Sequence, residues 1–204
     1  MKNKIIAVIG AGGKTTLIHR LAEEYRRKGA SVLVSTTTHM LVEPDTDLSC
    51  DSFAVMEKIK KTGYCMAGAV CPENSAKMQS LPEQMLHDLM KQVDYALIEA
   101  DGAKHYALKY PSEQEPVIPE GTTDVILVLG SWDLGKPCKD VVFRFEHMTS
   151  ALGISGDMKA DKQMLQWIWQ AYEEKLKNMD YQGHFHVLLS EKTDQGLVFH
   201  TLKE

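Results

Sequence analysis

The stretch from Ile5 to Ser35 constrains this chain more than any other. Ile5-Ile-Ala-Val-Ile9 is an unbroken apolar run that ends in Gly10-Ala-Gly-Gly13, the pattern of a strand buried on both faces and followed by a tight turn. From Thr15 to Lys28, Leu17, Ile18, Leu21, Ala22 and Tyr25 recur at helical spacing. Arg26, Arg27 and Lys28 complement the negative end of the helix dipole, and Gly29 stands where a left-handed residue closes a helix. Ser31-Val-Leu-Val-Ser35 is a second short apolar strand. Strand, helix and strand in so few residues make a βαβ unit, whose two strands run parallel and whose crossover is right-handed.

Further along, Phe53 to Lys61 predicts a short helix and Gly63 to Val70 a strand rich in small residues. Pro82 to Val93 predicts a helix through Met85, Leu86, Leu89, Met90 and Val93. Tyr95-Ala-Leu-Ile98 and Asp124-Val-Ile-Leu-Val-Leu129 are further buried strands. Between them, Tyr106 to Gly121 carries Pro111, Pro116 and Pro119 and reads as a long irregular loop of the kind that is usually functional. Asp161 to Met179 is an amphipathic helix, and His184 to Leu189 and Leu197 to Thr201 are closing strands, the second suited to an antiparallel edge. Strands alternating with helices predict an α/β fold, a mostly parallel doubly wound sheet with helices on both faces and its site at the strands' carboxyl ends. The length, 204 residues, suits a single domain over 1–204.

Composition narrows the function. With 44% hydrophobic and 25% charged residues and a net charge of -5, the chain has the make-up of a globular protein and offers no basic footprint for nucleic acid or an anionic membrane. The apolar run after Met1-Lys-Asn-Lys4 is too short for a signal peptide, and no stretch has the roughly 20 apolar residues of a membrane helix. Cys50, Cys65, Cys71 and Cys138 form no C-x-x-C pair, so reduced thiols in a cytoplasmic protein are expected.

Gly10-Ala11-Gly12-Gly13-Lys14-Thr15-Thr16 lies between a buried strand and a helix start, where a glycine-rich loop cradles phosphate. Glycines let backbone N–H groups close around the anion, the helix N-terminus adds its dipole, Lys14 reaches the β- and γ-phosphates and the Thr15 hydroxyl takes Mg²⁺. The pattern G-x-x-x-x-G-K-[ST] is met except at its first position, which falls on Val8. A dinucleotide fingerprint G-x-G-x-x-G fails at Thr15, and the second strand ends in Ser35-Thr-Thr-Thr38 with no acid for a ribose hydroxyl. At the end of the third strand, Glu99 and Asp101 are two apart and share a face. One suits Mg²⁺ and the other an attacking water; Asp101 is favoured for the metal and Glu99 for the water, with the reverse open, and Gly102 allows close approach of a γ-phosphate. Thr37, within Thr36 to Thr38, is a further candidate ligand for the metal. With the phosphate loop, the expected architecture is the three-layer one of P-loop NTPases, holding Mg²⁺ with ATP or GTP. His39 and His105 flank these residues, and His184 and His186 share a strand face.

Taken together, Val8-Ile-Gly-Ala-Gly-Gly-Lys-Thr-Thr16, Ser35-Thr-Thr-Thr-His39, Leu97-Ile-Glu-Ala-Asp-Gly-Ala-Lys104, Lys109-Tyr-Pro111, Glu115-Pro-Val-Ile-Pro119 and Asp133-Leu-Gly-Lys-Pro137 resemble the selenium-dependent molybdenum hydroxylase accessory protein family (YqeC-like), a P-loop NTPase group. The resemblance implies a nucleotide-binding protein that helps mature or insert the molybdenum cofactor, or its selenium, in hydroxylases. A molybdenum hydroxylase or its pterin cofactor would be the partner. The family pattern Val-His-Arg stands here as Val142-Phe-Arg144, leaving Arg144 as a phosphate or base contact. Glu191-Lys-Thr-Asp194 takes the place of a guanine-reading Asn-Lys-x-Asp motif, with Asp194 as the base contact and glutamate for asparagine. A slow NTPase switch, a phosphoryl or nucleotidyl transferase and a non-catalytic carrier of a phosphorylated or nucleotide-linked cofactor are the readings these residues allow.

Overall fold

The βαβ unit forms where the sequence predicts it. The computed structural model describes residues 3–203 and is mixed α/β with a mostly parallel main sheet. In chain order the elements are β1 (Lys4–Gly10), α1 (Lys14–Arg27), β2 (Val32–Thr36), β3 (His39–Leu41), α2 (Ser52–Thr62), β4 (Tyr64–Met66), β5 (Ala69–Val70), β6 (Lys77–Gln79), α3 (Glu83–Lys91), β7 (Tyr95–Glu99) and β8 (Leu108–Lys109). There follow β9 (Asp124–Gly130), α4 (Cys138–Val141), β10 (Val142–Phe143), α5 (Phe145–Leu152), α6 (Lys162–Asn178), β11 (His184–Thr193) and β12 (Gly196–Lys203). They divide into two compact units: one takes the chain to Val8, then Thr15–Gly102 and Val117–Asp124, and the other takes Ile9–Lys14, Ala103–Pro116 and the chain from Val125.

In the first unit the main sheet runs β1-β7-β2-β4, every pair parallel. Ala96 and Ile98 of β7 join Ile5, Leu33 and Cys65 in a buried cluster with Val55 and Ile59 of α2 and Leu86, Leu89 and Met90 of α3. The alternate residues of β7 face the other way. Tyr95 stacks on Tyr25 of α1, ring centroids 3.7 Å apart, and Glu99 accepts a hydrogen bond from Thr15 of α1. Helices therefore cover both faces of this part of the sheet. Burial, with Tyr95 beside it, pushes the Tyr25 phenol up to about 12.

Local signals set the helix ends. Gly29, at φ 79°, donates to the Arg26 carbonyl and closes α1. Asp51 caps α2 by accepting from the N–H groups of Phe53 and Ala54, and Gly63 at φ 74° closes it with a hydrogen bond to the Ile59 carbonyl. Asp51→Ala is expected to cost about 1 kcal/mol of stability, read as a lower urea midpoint at unchanged slope. The predicted strand Gly63 to Val70 is corrected: β4 pairs with β2 in the main sheet, whereas β5 belongs to a separate antiparallel sheet, β3-β6-β5. Gly68 marks the break, since a Cβ there would lie 2.6 Å from Met78 Sδ.

In the second unit the main sheet runs β12-β11-β9, with β11 and β12 an antiparallel hairpin. The predicted helix over Asp161 to Met179 is α6, capped by Asp161 through the Met164 N–H and burying Leu165, Ile168, Tyr172 and Leu176. Inside the proline-bearing segment, β8 pairs in parallel with β10, an element no periodicity announced. All four cysteines are free thiols, Cys50 exposed and the other three buried; burial pushes the Cys65 thiol up to about 11. A thiol reagent on the native protein is expected to label Cys50 rapidly and the other three only on unfolding, counted by mass. Among the described residues no helix is long and apolar enough to cross a membrane.

Candidate phosphate loop and acidic strand end

The glycines of the predicted loop are required by their surroundings. Gly10, Gly12 and Gly13 have φ values of 87°, 84° and 110°, a region that residues with a Cβ rarely enter. A Cβ on Gly10 would lie 2.3 Å from the Val128 carbonyl oxygen, and one on Gly12 would lie 2.6 Å from Gly130 and 2.7 Å from the Ala107 oxygen. Backbone and side chain both anchor the loop: Ala11 N–H donates to the Val128 carbonyl at 2.9 Å, and the buried Ser190 hydroxyl of β11 donates to the Gly12 carbonyl. Ser190 is a loop-holding residue that sequence reading passed over; its only signal is a hydroxyl at the end of an otherwise apolar run. Leu197 and Phe199 of β12 close on Gly13, where a Cβ would meet the Leu197 side chain at 2.5 Å. Lys14 is buried, and its ammonium donates to the Gly10 carbonyl at 2.8 Å, turned back over the loop it starts from. The chain passes directly from this loop into α1.

In the first unit, β1, β7 and β2 reach the same level at their carboxyl ends, where Val8, Glu99 and Thr36 are in register. Glu99 and Asp101 are both buried there. Thr15, in the first turn of α1, donates its hydroxyl to Glu99 Oε2 at 2.9 Å. The Glu99 carbonyl accepts from the Thr36 hydroxyl at 2.8 Å and from the Thr37 N–H at 3.1 Å, so the end of β2 is tied to the acidic end of β7. The Thr37 hydroxyl donates to the Val117 carbonyl at 2.7 Å, which uses its hydrogen and not its oxygen lone pairs. Gly102 faces open space: nothing lies within 4 Å of where its Cβ would be. Thr16 lies on the first turn of α1.

The remaining predicted contacts are in the second unit. Arg144, at φ 63°, precedes α5 and pairs with Glu115 at 2.8 Å. Asp194 is exposed in the two-residue turn between β11 and β12, so the Glu191-Lys-Thr-Asp194 motif is the tip of a hairpin, with Lys192 over the Trp132 ring at 4.4 Å. His184 and His186 have ring centroids 6.3 Å apart, and among the described residues no group of three or more His, Cys, Asp or Glu could hold a metal. Lys109 and Glu115, which carried no assigned role in the sequence, form an ion pair at 2.8 Å, with the lysine buried and the glutamate partly so.

A family model described as "YqeC protein" matches residues 6–146, from the first buried strand past Arg144 and short of Asp194. A protein of Escherichia coli (strain K12) named "Uncharacterized protein YqeC" is 34% identical over 161 residues, which make up 75% of this chain and 62% of that protein. The chain thus spans less than two thirds of the length of this relative. No solved structure matches. The matched span holds the glycine loop, Thr36 to Thr38 and both acidic residues at the carboxyl end of β7: the chain belongs to the YqeC family.

Proposed function

We propose that the chain is a P-loop protein that binds a Mg²⁺-nucleoside triphosphate, ATP or GTP, through residues 10–16 and hydrolyses it slowly as a switch. The observation that carries this reading is the 2.9 Å hydrogen bond from Thr15 to Glu99. A hydroxyl in the first turn of the helix that follows a glycine loop, held on a buried strand-end carboxylate, is the pairing that Mg²⁺-phosphate chemistry uses. In this reading the backbone N–H groups from Gly10 to Thr16 face the phosphates. Lys14 exchanges its contact with the Gly10 carbonyl for the β- and γ-phosphates. Thr15 and Asp101 hold the metal, Glu99 orients the water, and Gly102 leaves room for the γ-phosphate.

Mg²⁺ suits the donors available, which are hydroxyl and carboxylate oxygens. It keeps several waters and takes one or two carboxylates plus substrate phosphates, so it needs no protein cage. When bound, it neutralises charge that develops on the phosphate oxygens. The switch would serve maturation or insertion of the molybdenum cofactor in hydroxylases, the role that the family resemblance implies.

The test is calorimetric titration of wild type and Lys14→Ala with ATP, GTP, CTP and a non-hydrolysable analogue, with and without Mg²⁺. Mg²⁺-dependent binding by wild type is expected, and the ranking of the three nucleotides identifies the base. Binding of none of them overturns the reading.

A further inference from the structure

Residues 104–115 and the start of α5 build a cationic cluster in the second unit, of which the family resemblance gives a role to Arg144 alone. Phe143 of β10 is its centre. The Lys104 ammonium lies 5.4 Å from the ring centroid, the Lys109 ammonium 5.8 Å and the Arg144 guanidinium 5.4 Å. Three cations gathered on one ring are held in part by its quadrupole. Lys109 is fully buried, and a buried charge must be paired. Its ammonium donates to Glu115 Oε2 at 2.8 Å, and Arg144 Nη2 lies 2.8 Å from the same oxygen. The Arg144 Nη1 donates to the Ser112 hydroxyl, and the Ser112 carbonyl accepts from Lys175 at 2.9 Å.

Three features point to a ligand. Two cations already converge on a single carboxylate oxygen, so the cluster is shaped to hold an anionic oxygen. Glu115 and Ser112 engage two of the five N–H donors of Arg144, whose side chain still reaches the surface at 22% exposure; the rest of its fork suits a second oxyanion. Lys104, His105 and Arg144 all have left-handed backbones, at φ 45°, 66° and 63°. Non-glycine residues hold such angles only where the surroundings over-determine them, and these three put Lys104 and Arg144 on the same ring.

We infer that this cluster binds a phosphate-type oxyanion of a small molecule, contacted by Lys104 and Arg144 and positioned by Lys109 and Glu115. An exposed ammonium added to a guanidinium fork matches a doubly charged phosphate better than a carboxylate. Tyr106, which leans on Phe143 at a centroid distance of 5.6 Å, gives the rest of the ligand an apolar flank.

The test uses the full chain carrying Lys14→Ala, so that the glycine loop contributes no phosphate affinity of its own. Equilibrium dialysis against radiolabelled inorganic phosphate at low ionic strength is expected to show saturable binding of one equivalent, at least tenfold tighter than acetate. Lys104→Gln and Arg144→Gln, added singly to that background, are each expected to weaken it tenfold or more with unchanged circular dichroism. Lys104 is exposed, so Lys104→Gln decides the matter even if the arginine variant folds poorly. Absence of saturable binding, equal affinity for acetate, or unchanged affinity in the Lys104→Gln protein overturns the inference. None of these results depends on whether the chain binds a nucleotide.

Discussion

Gly10→Ala is expected to destabilise the protein by about 3–5 kcal/mol, lowering the thermal midpoint by about 10 °C. Two penalties add. An alanine at φ 87° sits in a region that its Cβ disfavours, and the Cβ itself would fall 2.3 Å from the Val128 carbonyl oxygen and 2.6 Å from Leu127 Cδ1. The first obstacle is strand backbone, which cannot rotate away as the end of a side chain does. Gly29→Ala is the control, because Gly29 has a similar φ of 79° and nothing within 4 Å of its Cβ position. It carries the conformational penalty alone and is expected to cost about 1 kcal/mol. Scanning calorimetry of the two variants separates clash from strain. Equal losses would contradict the close packing of the loop on β9.

Lys14→Ala is expected to weaken Mg²⁺-nucleotide binding by about 30- to 150-fold, the loss of one charge-assisted contact of roughly 2–3 kcal/mol. Lys14 is the loop's own cation, and among its contacts its ammonium donates to the Gly10 carbonyl. A phosphate oxygen offers the ammonium a full negative charge, a charge-assisted contact that the variant cannot make. Gly102→Ala provides the complementary test. It meets no neighbour within 4 Å and its φ is not in the left-handed region, so stability should not change. A fall in triphosphate affinity without a fall in diphosphate affinity would place the γ-phosphate at this backbone. Calorimetry with both nucleotides reads the difference.

The parts of the fold visible in the sequence are those whose signal is local. β1, β2, β7 and β9 are continuous apolar runs, α1 and α6 carry long apolar stripes, and α2 and α3 fall within two residues of their predicted bounds. The sheet β3-β6-β5 and the pair β8-β10 have strands of two or three residues, too short for any period to register. Apart from β5 with β6, their pairing partners are distant in the chain, and α4 and α5 are likewise too short to announce themselves. The split of Gly63 to Val70 between two sheets turned on Gly68 fitting against Met78, a contact no composition shift reveals.

The candidate site divides in the same way. A glycine-dense turn between an apolar run and a helical stripe, and two acids spaced by two near a strand end, are local patterns, so the sequence alone marks Gly10 to Thr16 and Glu99 with Asp101 as candidates, although β7 ends at Glu99 and strand alternation does not extend to Asp101. Only tertiary structure decided their partners. Thr15 meets Glu99 across 84 residues, Ser190 reaches the Gly12 carbonyl across 178, and Lys109, Glu115 and Arg144 meet around Phe143. The reason is physical: glycine tolerance and strand alternation act over neighbouring residues, whereas hydrogen bonds and buried ion pairs form between whichever groups the packed sheet brings within 3 Å.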